Sequence, residues 1–165
     1  MSGLAFRRTA LAGTVLATVL AAATALAAWG PDGDQAAAGA ARLSIADPYI
    51  PLPAGGAMAA GYLTVRNAGG ADQLVAVSSP DASSVTMHRS GESAMEAIDR
   101  FAVPARGALE FARGGAHLMI MGWAKQPALG DEFELDLTFA KAGTIAVRVP
   151  VKPLTYRPGQ QDSGS

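Results

Sequence analysis

The chain contains no cysteine. That absence removes disulfides, thiolate zinc sites, CxxC redox pairs and the blue-copper centre, which needs a thiolate ligand. It also leaves no thiol to carry a lipid. Histidine is nearly as scarce, with His88 and His117 the two present. No glycine-rich motif suited to cradling phosphate occurs, and no serine has the carboxylate and histidine company of a hydrolase. With Arg7 and Arg8 set aside, 11 of the 13 basic residues remain against 14 acidic ones, a net charge near −3. Nothing in that balance suits a nucleic-acid surface.

The 165 residues have room for one domain. Without disulfides it must be stabilised by its own core, which roughly 120 residues can supply. The first residues have a different character. Arg7-Arg8 precede an almost uncharged apolar run from Ala10 to Trp29 that ends in small residues, Ala25-Leu26-Ala27. This is the layout of a secretory signal. Uncleaved, the run is also long enough, at roughly 1.5 Å per residue, to serve as an anchor helix across a bilayer. Both readings place the domain outside the cytoplasm, in the periplasm, at the cell surface or secreted. Membrane contact is then confined to residues 1–28. Residues 29–41, rich in Gly, Ala and Asp, read as a flexible linker.

From Arg42 onward short β-type runs alternate with Pro and Gly, and no helical period is present. Candidate strands are Leu43–Ala46, Ala60–Asn67, Gln73–Ser78, Ser84–His88, Ile98–Val103, Leu109–Ala112, His117–Met121, Glu132–Phe139 and Thr144–Val151. Strict alternation in Glu132–Phe139 puts Phe133, Leu135, Leu137 and Phe139 on one face, and the following run makes a hairpin with it. Many short strands at this spacing imply an all-β antiparallel sandwich or barrel over residues 42–153. Residues 154–165 read as a disordered tail.

Five of the six methionines lie beyond the N-terminal run: Met58, Met87, Met95, Met119 and Met121. Four of them share the window 87–121 with both histidines. On a strand, His117 and Met119 point the same way, so an imidazole and a thioether can converge on one ion. Thioethers are soft ligands that select Cu(I) over Zn, Ca or Mg, and imidazole is compatible with it. A half-buried strand with packing methionines shows the same alternation, and the pattern alone leaves both readings open. Met121 shares the face but lies about 13 Å from His117 along an extended strand, at about 3.3 Å per residue, which favours packing over ligation. Met87 points to the opposite face from His88. Met58, after the Gly-rich PAGGA stretch, reads as loop or core packing with a lesser option of lining the site. Trp123 reads as cover for an apolar edge.

The wider constellation resembles the periplasmic copper chaperone family PCu(A)C. Between Met95 and His117 stand residues 96–116, 21 of them, followed by His117-Leu118-Met119. GYLTVRN at 61–67, the passage from Ser79 to Ser90, VPARGALEFARGGAHLMIMG at 103–122 and GDEFELDLTF at 130–139 are also similar to that family. The resemblance covers most of residues 42–151. One departure is the six residues between His88 and Met95, fewer than the family usually has, which read as a shortened hairpin loop. The resemblance implies a Greek-key β-sandwich of cupredoxin-like type. It further implies Cu(I) held by His88, Met95, His117 and Met119, and no catalytic step. The implied partner is a copper enzyme under assembly, such as the CuA centre of cytochrome c oxidase, or a second copper-assembly factor. Two rivals follow from the same residues: an immunoglobulin-like module that binds protein rather than metal, and a copper scavenger or buffer without delivery.

Overall fold

Apolar residues recur with period two along nearly every run after Arg42, so each strand has one side to bury and one to leave facing solvent. The computed structural model describes residues 39–91 and 94–159, and among them there is no helix. The expected signal or anchor at 1–28, and most of the linker, lie outside the described residues. The described residues form ten strands: β1 (Leu43–Pro51), β2 (Met58–Asn67), β3 (Asp72–Ser78), β4 (Ala82–Ser90), β5 (Met95–Ala97), β6 (Phe101–Val103), β7 (Ala108–Phe111), β8 (Ala116–Trp123), β9 (Glu132–Phe139) and β10 (Gly143–Lys152).

One layer runs β5-β4-β8-β2-β1, with β7 continuing the β8 position alongside the second half of β2. The other runs β10-β9-β3-β6. Parallel pairing of Ile50 with Val151 and Pro51 with Lys152 joins them, so the two layers are one curled sheet. The fold is thus all-β and cupredoxin-like. Between the layers sit Leu63, Val65, Leu118, Ile120, Leu135 and Leu137, each almost fully buried. Phe133, Leu135, Leu137 and Phe139 are all buried, as the alternation of β9 requires.

Two strands depart from the sequence reading. Of Ile98–Val103 only Phe101–Val103 forms a strand (β6), and Met95–Ala97 before it makes a strand the sequence did not suggest (β5). β5 pairs with β4 and β6 pairs with β3, in different layers, and the chain crosses between them at Asp99-Arg100. β1 runs past Ala46 to Pro51 because Asp47 takes a positive φ of 49°, which shifts the register once and lets the strand resume.

Two buried polar side chains organise the turns. Asn67 donates from Nδ2 to the carbonyls of Gly70 (2.7 Å) and Pro104 (3.1 Å), while its Oδ1 accepts from the amides of Gly69 (2.9 Å) and Arg42 (3.1 Å). Asp72 accepts from the amides of Gln73, Lys141 and Ala142 at 2.8–2.9 Å, which pins the β9–β10 hairpin turn to β3. At the other end Tyr49 packs against Tyr62 (ring centroids 5.2 Å apart) and Tyr156 (5.0 Å). Of the segment 154–165, residues 154–159 are described. They lie along this tyrosine group, with Arg113 donating to the Leu154 carbonyl at 3.0 Å.

Asp72→Ala strands three amide donors at once, so its unfolding free energy in urea should fall by about 2–4 kcal/mol with an unchanged m value. A loss within experimental error would show that water replaces the carboxylate at no cost. Burial pushes the Tyr62 phenol above its ordinary 10.0, a rise partly offset by Arg113 and reinforced by Tyr49. The raised folded value makes Tyr62 stabilising below pH 10, a contribution lost as pH climbs through the folded value. Tyr62→Phe should therefore lose less stability between neutral and strongly alkaline pH than the parent, measured by denaturation at each pH.

Candidate metal centre

β8 places its donors by alternation. Leu118 and Ile120 face the core with no exposure, so His117, Met119 and Met121 must face outward. A tight turn at Arg113-Gly114-Gly115 starts the strand, with Gly114 at φ 81°, a backbone conformation that suits glycine. The Gly115 carbonyl then does two things. It accepts the amide of Ser90 (3.1 Å) and lies 3.2 Å from Nδ1 of His117. A carbonyl can only accept, so Nδ1 carries the proton and Nε2 keeps its lone pair free.

β4 lies beside β8 in register, with His88 opposite His117 and Thr86 opposite Met119. Met87, between them, is buried in the core, as its alternate position requires. β4 and β5 form a hairpin in which Ser90 faces Met95 and Gly91 donates to the Ala94 carbonyl at 2.9 Å. The short connection therefore leaves the strand ends in register, and Met95 shares the outer face with Ser90 and His88. The sheet thus carries His88, Met95, His117 and Met119 on one face, across three adjacent strands.

A cavity of about 360 Å³ opens there, lined by Met95, His117 and Met119 together with Met58, Ala60 and Tyr62. His117 is buried, at 8% exposure, while Met95 is 58% exposed at the rim. Among the described residues no carboxylate lines this cavity. Among the described residues no three His, Cys, Asp or Glu side chains cluster in a way that could hold a metal. The donors are therefore neutral: sulfur from methionine and nitrogen from imidazole. That set suits a soft monovalent ion and serves hard or divalent cations poorly.

His88 does not line the cavity. Its ring stacks on His117 with centroids 5.8 Å apart and planes 17° apart. Nε2 of His88 is within 2.9 Å of Thr86 Oγ1, and its Nδ1 is buried with no hydrogen-bond partner. A lone pair lies in the plane of its ring, so two stacked rings do not aim at one point.

Met58 and Tyr62 carry no recognisable spacing relative to His117 in the sequence. Only the pairing of β2 with β8, which sets Ala60 opposite Met119 and Met58 opposite Met121, brings them to the cavity. Met121 itself is half-buried between Met58 and Ser84 and does not line the cavity. Trp123 packs on Phe133 at 4.8 Å, at the far end of β8.

Known proteins match this chain in sequence and in fold. Lxx21020 of Leifsonia xyli subsp. xyli (strain CTCB07), a lipoprotein by name, is 35% identical over 105 residues, covering 60% of this chain and 63% of the relative. The match therefore spans less than two thirds of that relative's length. Among solved structures, the fold is similar to the apo PmoF2 PCuAC domain, with TM-score 0.59, 26% identity, and coverage of 70% of this chain and 96% of that domain. The copper-bound PCuAC domain from PmoF2 gives 0.59 and 27%, covering 67% and 92%. The solution structure of CuI-DR1885 from Deinococcus radiodurans gives 0.58 and 26%, covering 74% and 86%. The family model described as LpqE-like matches residues 43–151. That stretch runs from the first residue of β1 almost to the end of β10, and on it the chain belongs to the LpqE-like family.

Proposed function

We propose that this protein binds one Cu(I) through His88, Met95, His117 and Met119 and passes it to a copper enzyme under assembly outside the cytoplasmic membrane. The observation that carries this reading is the cavity that Met95, Met119 and His117 line together, with no carboxylate among the described lining residues and Nδ1 of His117 held by the Gly115 carbonyl. It sits in a fold shared with a copper-bound PCuAC domain. Neutral donors leave the bound ion its single positive charge, with none of the charge pairing a thiolate supplies. The rim position of Met95 gives an acceptor's ligand a place to enter while His117 and Met119 still hold the ion. The unpartnered Nδ1 of His88 fits a side chain that completes its bonding with a ligand.

A protein-binding module without metal requires the His/Met face to be packed away. Met58 and Met95, each more than half exposed, speak against it. Export rests on the basic and apolar start of the chain, in keeping with the lipoprotein names of its relatives. The recipient is a copper site such as CuA, and delivery rather than storage is the role an open, uncharged site suits.

Anaerobic titration of the purified protein against a coloured Cu(I) chelator should show one equivalent bound. His117→Ala/Met119→Ala should weaken that binding by more than about a hundredfold, roughly 2.7 kcal/mol. Parent-like affinity in the double variant, or no competition by the parent, would sink the copper reading. Excess Zn(II) should leave the isotherm unchanged, and displacement of Cu(I) by zinc would mean the thioethers are not ligands. Delivery is tested by mixing the loaded protein with a metal-free CuA domain and measuring copper in the re-isolated acceptor. An acceptor that stays empty would favour storage.

A further inference from the structure

We infer that Met58 is a copper ligand, a third thioether that joins Met95, Met119 and His117 around the ion in the position otherwise given to His88, whose ring stacks on His117 and does not line the cavity. The inference rests on the copper reading above and moves one position of its donor set to the β2 flank of the site. β8 lies between β4, which carries His88, and β2, which carries Met58. An ion over His117 and Met119 can be reached from either side.

Three observations place Met58 there. It lines the same cavity as Met95, His117 and Met119. Its register sets it opposite Met121 and diagonal to Met119, with Ala60 directly opposite Met119. Diagonal neighbours on one face lie about 7–8 Å apart at their backbones, within reach of long side chains. The small side chain of Ala60 leaves the space between the two thioethers open. Lastly, Met58 is 55% exposed, whereas Met87, which does pack in the core, is 6% exposed. A methionine serving as core filler would be buried like Met87.

The approach to β2 explains how this residue comes to stand at the rim. Gly55 and Gly56 take φ of 107° and 103°, conformations open to glycine, and the strand begins two residues later at Met58. The strand's first residue therefore stands at the exposed edge of the cavity, across β8 from the β4–β5 hairpin that carries Met95. The two exposed thioethers thus stand at opposite flanks of the buried His117, with Met119 between them.

The test is Met58→Leu, which keeps apolar bulk and removes the sulfur. X-ray absorption at copper on the loaded parent should report three sulfur neighbours, and on Met58→Leu two. Affinity in the chelator competition should fall about tenfold in the variant, with one equivalent still bound. Thermal unfolding of the metal-free variant should match the parent, since the side chain is exposed. An unchanged sulfur count and affinity in Met58→Leu, alongside loss of both in Met119→Leu, would reduce Met58 to a bystander and leave the copper site standing. A parent that takes up no Cu(I) would overturn the copper reading itself, and this assignment with it.

Discussion

The site depends on the pairing of β4 with β8. Their register puts His88 opposite His117 and Thr86 opposite Met119, while Met87, Leu118 and Ile120 go into the core. Because side chains alternate, burying one face of this pair forces the other face outward as a unit. The hydrophobic effect that holds the two layers together therefore also aligns the donors. A slip of one residue would turn the histidine into the apolar core and Leu118 to the outer face, at a penalty of about 2 kcal/mol for each large apolar side chain left in water. The core thereby guards the register of the metal face.

Around that pair, orientation comes from backbone groups. The Gly115 carbonyl bonds the Ser90 amide and faces Nδ1 of His117. One turn thus ties the β4–β5 hairpin to β8 and selects the tautomer of the imidazole. A ligand held in this way reaches a metal without first reorganising, which is the usual task of groups behind a metal's direct neighbours. His88 is held differently, by Thr86 and by stacking on His117. The two histidines of the chain are accordingly held in unlike ways, one by a backbone carbonyl and one by a threonine hydroxyl.

The buried polar groups farther away serve the fold. Asn67 and Asp72 satisfy turn amides and carbonyls that would otherwise be orphaned between the layers. They make up for the lack of disulfides by fixing the β2–β3 and β9–β10 turns. The sequence reading passed over both residues, because a single Asn or Asp beside a glycine carries no mark of its distant partners. Lys141 is 69 positions from Asp72, and Pro104 is 37 from Asn67.

Period-two alternation was enough to place β2, β3, β9 and β10 and to read the buried face of β9, since alternation is a local property of the chain. The chemistry of the site was legible too, in the crowding of His and Met between positions 87 and 121 and in the absence of cysteine. The split between β5 and β6, the joining of β1 to β10 and the arrival of Met58 beside Met119 were not. Each depends on which strands become neighbours, and that is decided by how two apolar faces close over one core. Residue type and spacing determined what kind of ion this chain can hold, because ligand softness belongs to the side chains themselves. Tertiary structure alone decided which sulfur and imidazole groups share one cavity, because their convergence comes from strands far apart in sequence.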